Sequence, residues 1–547
     1  MRPLRLFTAL TLCTGTVLAQ EPAPPPPSAQ IPAFSESVEV RVLDLDVDVT
    51  DSKGLPVTDL KREDFTVKIG GKPVPVDYFT RVEGGTIHAP DLSTASPDQI
   101  LAAYRKGNEA YVPRNFLIYI DLGFISPGIR NRSLGALSDF VTKLGPDDAA
   151  RVVVFDRSPR VLADWTTSKE TLMAAISSVE KGRVGMSRLQ NQRQTVSMID
   201  STRPRSRGAL VRQYAEENAQ EIQTLLESMR QEIVTLTPLS GKKSFMFVSG
   251  GFEYQPGWVM SQYASGTFNA PSLNFTNIRQ IPDLVTSNVQ RANSNEITFY
   301  TIDANGLGAE GQTASSDDPL ESRSRVSFQA RQDRQNGLQE LAVETGGIAM
   351  LNTNDFQRGL GRVYEAVSTY YSVGVNLSQV PTGKYEKVSV EVSRPGLTVR
   401  SRKGFQALPE ADLVRERARA TMETDLAYSG IPTRIQPGPA TAGDKKLYSV
   451  PITVSFPASA LTFVPQGDKS VAKTQFFIGA VDDKGGRSEI TTQDSDFTLP
   501  TDKASGDTPL SYNATVQTKK GNYRIVVNIR DVASGKLGTA RANVHIE

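Results

Sequence analysis

The 547-residue chain has one cysteine, Cys13, and two histidines, His88 and His545. A single thiol close to the N-terminus leaves nothing for intrachain disulfides, thiolate metal sites or cysteine catalysis in the rest of the chain. His88 lies in a connector and His545 near the end of the last strand pattern, and neither has a serine or metal partner in the pattern. Excess charge of one sign is also missing. The 61 Lys+Arg against 60 Asp+Glu leave a formal +1, so no bulk attraction to nucleic acid or an acidic surface is expected. Beyond the N-terminus no apolar run reaches the roughly 18 to 20 residues that span a bilayer. Gly-x-Ser-x-Gly, His-Glu-x-x-His and phosphate-cradling Gly-Lys-Ser/Thr motifs do not occur, Gly241-Lys-Lys-Ser244 being the nearest.

What is present starts with a targeting pattern. Arg2 and Arg5, the apolar Leu6 to Leu18 and the small-residue end Val17-Leu-Ala19 predict a signal peptide over 1–19. The mature product is therefore expected to be secreted or periplasmic, soluble and free of disulfides. Residues 20–36, with Glu21-Pro-Ala-Pro-Pro-Pro-Pro-Ser28, read as an extended Pro-rich linker.

From Val38 the apolar positions alternate, and 37–82 read as a small β module. The change of parity at Val42-Leu43 predicts a bulge or a change of sheet. Asp44, Asp46 and Asp48 share one strand face, read as solvated, because no loop is there to wrap a calcium ion. Val74 to Phe79 reads as one strand after a Gly70-Gly71 turn, and Thr80 to Val112 as a loose connector. The central element is Arg114-Asn-Phe-Leu-Ile-Tyr-Ile-Asp121, a continuous apolar run that ends on a carboxylate. Such a run predicts a strand buried on both faces, followed here by a Gly/Ser/Pro loop and a helix.

Strands and helices alternate through 110–368, which predicts a doubly wound, mostly parallel α/β sheet of Rossmann-like type flanked by β-sandwich domains. Val161 to Ala163 follows Phe155 too closely for a helical crossover and is expected to pair antiparallel at an edge. An insertion is placed at about 180–240. Its polar, basic part, Lys181 to Gly208, reads as a mobile, solvated loop. Three strands in 369–406 cannot cover themselves and are expected to join 37–82 in one sandwich. Residues 407–445 read as a charged helix and linker. The span 446–547 carries strands at the spacing of an immunoglobulin- or fibronectin-type sandwich. Asp482 and Asp483 lie in a hairpin turn there, and a turn role explains them more simply than calcium binding.

Several segments carry a family resemblance: Val49-Thr-Asp-Ser-Lys-Gly-Leu-Pro-Val-Thr-Asp-Leu60 with Glu63-Asp-Phe65, Trp165-Thr-Thr-Ser-Lys-Glu-Thr-Leu172, and Gly241-Lys-Lys-Ser-Phe-Met-Phe-Val-Ser-Gly-Gly-Phe252. Leu341-Ala-Val-Glu-Thr-Gly-Gly347, Tyr370-Tyr-Ser-Val-Gly374 and Arg394-Pro-Gly-Leu-Thr-Val-Arg-Ser-Arg-Lys-Gly-Phe405 complete the set. In this order and spacing the chain resembles a von Willebrand factor A-type (VWA) domain protein, and more narrowly the secreted VWFA-related family named for acidobacteria. The resemblance covers about 38–405.

It implies a metal-ion-dependent adhesion site in which an Asp-x-Ser-x-Ser motif after the first strand gives one carboxylate and two hydroxyls to Mg²⁺. Asp121 matches the first ligand. Gly123 and Ile125 stand at the hydroxyl positions, Ser126 is one step out of register, and Ser249-Gly-Gly251 has no Asp where the family's distant carboxylate lies. A degenerate site is therefore expected, with no cofactor, Asp121, Ser126 and Asp303 being the weak candidates for residual Mg²⁺. Asp121 then caps the following helix or bonds loop amides.

Asp121 and Asp303 both end strands, and as a pair they would suit a carboxylate-dependent enzyme acting on an extracytoplasmic polymer. No third group supports that chemistry. The expected function is instead non-enzymatic adhesion or assembly, with a protein or cell-surface polymer as partner. The predicted binding residues are Asp121, Ser126, Ser249, Glu253, Trp258 and Asp303, in the loops at the strand C-termini. Trp258, Phe252 and Tyr254 are candidate aromatic anchors, with burial under the insertion as the alternative.

Overall fold

The structure is a computed structural model. It describes residues 42–88, 111–125, 127–181, 187–237, 239, 241–266, 276–306, 320, 326–377, 383–406, 410–423, 428, 430–443, 447–466, 468–483, 486–500 and 506–547. The expected signal peptide and Pro-rich linker, and Ser126, lie outside the described residues. The chain divides into two compact units, 39–408 and 409–547, the second also counting 1–38.

The first unit is built on a six-stranded sheet. Across it lie Ala349–Met350, Ile297–Asp303, Lys242–Ser249, Arg114–Asp121, Ala149–Asp156 and Ser158–Thr166. Taken along the chain, that lateral order is sixth, fifth, fourth, first, second, third. All neighbours are parallel except the last pair, where Ser158–Thr166 runs antiparallel to Ala149–Asp156. This is a doubly wound α/β sheet with an antiparallel edge, and its winding reverses between Arg114–Asp121 and Lys242–Ser249.

The continuous apolar run of the central strand follows from burial on both faces. Phe116, Ile118 and Ile120 pack with Leu134, Leu137, Phe140, Ile176 and Val363 on one side. Leu117 and Tyr119 pack with Ile222, Leu225, Met229, Val285 and Leu338 on the other. Each such side chain contributes about 1.5–3 kcal/mol of burial. The first face is covered by helices Pro127–Thr142, Lys169–Lys181 and Phe356–Ser368, and the second by Arg207–Leu236, Thr276–Ser294 and Ser327–Glu344.

Two further sheets are made from both ends of this unit. Val42–Thr50 pairs antiparallel with Tyr370–Asn376 and then, from Asp48, with Thr398–Arg400. Phe65–Ile69 pairs with Tyr385–Val392. Leu43, Leu45, Val47 and Val49 share one core with Phe65, Val67, Tyr371, Val373, Val388 and Phe405. The α/β sheet is thus inserted, in chain order, between the two halves of one β-sandwich.

Three sequence expectations are corrected here. Val74 to Phe79 is not one strand, because Lys72–Val74 and Tyr78–Glu83 belong to different sheets. The start of the expected loose connector is ordered, since Tyr78–Glu83 and Thr86–His88 form a hairpin. The aspartate face of Val42–Thr50 is not simply solvated. Asp48 is buried and accepts two hydrogen bonds from Arg400 (2.9 and 2.7 Å), Asp46 pairs with Lys242, and Asp44 accepts from Ser372. Burial, reinforced by repulsion from Asp46, pushes the Asp44 carboxyl up to about 7.

In the second unit two antiparallel sheets share one core. Tyr448–Pro457 and Pro509–Thr518 face Lys469–Asp482 and Gly521–Asp531, with Phe476 stacked on Tyr512 at 3.8 Å. Helix Glu410–Glu423 docks on this unit through Val414 and Ala418 against Phe477 and Leu537. Asp482 braces its turn by accepting from the Gly486 amide (2.6 Å).

Candidate functional site

An open α/β sheet leaves a crevice at its strand C-termini where the winding reverses. Here that point lies between Asp121 and Ser249, which are direct register partners, and Asp303 is the register partner of Ser249 on the next strand. Three strand-end residues therefore stand side by side. Asp121 and Asp303 are separated by a whole strand, about 10 Å between Cα atoms at the usual strand spacing.

Asp121 is fully buried and all its bonds are internal. Its Oδ1 accepts the Gly123 amide (3.1 Å), and its Oδ2 accepts the Ser249 hydroxyl (2.7 Å) and the guanidinium of Arg188. Of the two roles weighed from the sequence, bonding of a loop amide holds, and an ion pair is added. Arg188 is 1% exposed and comes from helix Ser187–Ser201, inside the insertion.

The insertion is largely helical, which corrects the expected solvated loop over 181–208. Leu189, Val196 and Ile199 are buried, the latter two in one cluster with Val211 and Tyr214 of the long helix Arg207–Leu236. Three apolar residues on one face of an otherwise polar stretch are too few to announce a helix by periodicity.

The guanidinium of Arg188 fits because residue 123 is glycine. A Cβ there would stand 2.2–2.4 Å from three guanidinium atoms of Arg188. The Leu189 amide donates to the Gly123 carbonyl (3.2 Å), fixing the helix start to the same loop. The guanidinium carbon lies 5.3 Å from the centre of the Phe124 ring, and that of Arg334 lies 5.1 Å from the same centre. Attraction between a cation and a ring face offsets part of the desolvation of both cations. Nε and Nη1 of Arg188 have no hydrogen-bond partner among the described residues.

Beside this crevice lies a small open hollow lined by Gly250, Asp303, Asn305, Arg331, Arg334 and Gln335, together with Gly306. Asp303 accepts from Gln335 (2.6 Å) and from the Asn305 amide (3.0 Å). Burial raises its carboxyl above the ordinary range, opposed by the Gln335 hydrogen bond.

The other predicted residues are placed as follows. Glu253 is buried, and accepts the Tyr214 hydroxyl and the Gly257 amide (2.7 Å), so it holds its own loop against the insertion. Trp258 is half-buried against the cluster formed with the insertion helices. Phe252 is fully buried, and Tyr254 donates to Glu340 (2.6 Å). Of the three aromatics only Phe252 is fully buried, and Tyr254 and Trp258 keep part of their surface exposed. Near Glu253, burial and repulsion by that carboxylate push Asp333 up to about 8.

The described residues at the crevice do not fit a divalent ion. Among the described residues, Asp121 is committed to a guanidinium, Asp303 is bonded to Gln335 and the Asn305 amide, and the two flanking positions that resemblance would fill with hydroxyls are Gly123 and the buried Ile125. Among the described residues no group of three or more His, Cys, Asp or Glu is placed to hold a metal. Sequence reasoning missed Arg188 and Arg334. Gly123, in place of a hydroxyl residue, was the single signal that something larger fills the space.

No family model matches the chain, and no curated protein matches it. Among solved structures it is similar to proximal thread matrix protein 1 from the mussel byssus, at 12% identity over 48% of this chain and 49% of that one, TM-score 0.26. It is also similar to a von Willebrand factor type A protein from Catenulispora acidiphila, at 8% identity over 93% and 74%, TM-score 0.19. The manganese-loaded TRAP protein of Plasmodium vivax is similar at 8% identity over 54% and 94%, TM-score 0.21. The chain spans about half the length of the mussel protein. Identities and TM-scores at this level carry no argument, and the fold rests on the strand order itself.

Proposed function

We propose that this chain is an exported, non-enzymatic VWA-type binding module of the VWFA-related kind. Its partner is a protein or cell-surface polymer, held by the loops at the strand C-termini without a bridging metal ion. The observation that carries this reading is the Asp121–Arg188 pair at the winding reversal: the position where this fold takes a ligand already holds a cation of the chain itself. Asp121 and Asp303 flank Ser249 and are each bonded internally, which favours recognition over acid/base work. The adjacent hollow, with Arg331, Gln335 and Asn305 on its lining, offers polar and cationic groups suited to an anionic feature of the partner.

The test is capture of envelope proteins and polymers on the immobilised full chain, with and without EDTA. Binding that persists in EDTA and falls on Arg331→Glu supports the reading. Hydrolysis of an extracytoplasmic polymer that Asp121→Asn/Asp303→Asn abolishes would replace it with the enzyme reading.

A further inference from the structure

The crevice contains an arginine where no sequence pattern asked for one, and its surroundings are shaped to it. Arg188 is 1% exposed and Asp121 is 0% exposed, so the pair is fully withdrawn from water. One oxygen of Asp121, Oδ2, accepts both the Ser249 hydroxyl and the guanidinium, while Oδ1 takes the Gly123 amide. The carboxylate is thus held by groups from two adjacent strand ends and from the insertion helix.

Residue 123 makes the arrangement exclusive. Any side chain there would place its Cβ 2.2 Å from Nη2 and 2.4 Å from Cζ and Nε of Arg188. A hydroxyl residue at 123 and a guanidinium at this place cannot coexist without displacement of Arg188. Glycine at 123 and the arginine at this place are therefore structurally interdependent. Phe124 closes one face of the guanidinium, and the Leu189 amide fixes the helix start to the Gly123 carbonyl.

We propose that the guanidinium of Arg188 is the resident cation of the crevice. It neutralises Asp121 permanently from within the chain and occupies the volume that a metal ion and its hydroxyl ligand would need. It also ties the insertion to the central strand, so the binding face is set without response to divalent ions. This rests on reading the crevice as the metal-free counterpart of a VWA-type site. It adds that the ion's replacement is a named side chain whose place depends on Gly123.

The experiment compares thermal unfolding midpoints of the full chain carrying Gly123→Ser, Arg188→Ala or both, alongside a Mn²⁺ titration of the unaltered protein read by electron paramagnetic resonance. Gly123→Ser alone is expected to lower the midpoint, and adding Arg188→Ala is expected to recover part of that loss, because the clash is removed. The unaltered protein is expected to leave Mn²⁺ free. Losses that simply add, or stoichiometric Mn²⁺ uptake by the unaltered protein, would overturn the proposal. The titration needs no destabilised variant, so the proposal stays testable if a substitution prevents folding. Failure to find a partner would count against the binding function and leave these results unchanged.

Discussion

At the residue scale, buried charge is handled in two ways. Some carboxylates are paired with arginine: Asp121 with Arg188, and Asp148 with Arg114 at the opposite end of the same strand, at 3.1 Å from Nε to each carboxylate oxygen. Others are buried beside like charge, as Asp44 is near Asp46 and Asp333 near Glu253. A carboxyl raised in the folded state binds its proton more tightly there than in the unfolded chain. Its stabilising contribution is full below the ordinary carboxylate range and is lost as pH rises towards the folded value. For Asp333, pushed up to about 8, the loss extends from roughly pH 4 to pH 8. Asp333→Asn, which can still accept from the Gln255 amide, is expected to flatten the pH dependence of urea unfolding across that window. An unchanged slope would contradict the assignment. Asp121 was legible in the sequence because it ends a continuous apolar run. Arg188 was not, since its partner lies 67 residues away and it sits in a stretch whose composition reads as solvated.

At the element scale, the strands of the α/β sheet were legible because burial on both faces leaves few polar residues in them. Arg114–Asp121, Ala149–Asp156, Lys242–Ser249 and Ile297–Asp303 lie where continuous apolar runs predict strands. Helix Ser187–Ser201 was illegible for the opposite reason, since it buries Arg188, Gln192 and Thr195 along with a few apolar residues. Its anchoring is nevertheless apolar as well as ionic. Ile199 is 1% exposed in a cluster with Val196, Val211 and Tyr214. Ile199→Ala is expected to cost about 2–4 kcal/mol in denaturant unfolding of the first unit. A loss under about 0.5 kcal/mol would mean that the helix is not packed there.

At the scale of the whole molecule, the order of segments matters more than any one of them. The strand Val42–Thr50 gains its partners only when Tyr370–Asn376 and Thr398–Arg400 are present, more than 300 residues later. A chain ending after residue 368 is therefore expected to lose the core of Leu43, Leu45, Val47 and Val49. Amides of Val42–Thr50 should then exchange with solvent, while those of Arg114–Asp121 keep more protection. Equal protection of both strands in the truncated chain would show that the sandwich does not depend on its second half. The two compact units, 39–408 and 409–547, have separate cores, so each is expected to show its own unfolding transition.

The central claim is that Asp121 and Arg188 form one charge-neutral unit in the place of an ion. A double-mutant cycle with Asp121→Asn and Arg188→Met, read by equilibrium unfolding in urea, tests it most directly. The account predicts a coupling of about 2 kcal/mol or more, because either substitution alone leaves a buried group without its counter-charge. Effects that add to within about 0.5 kcal/mol would contradict it.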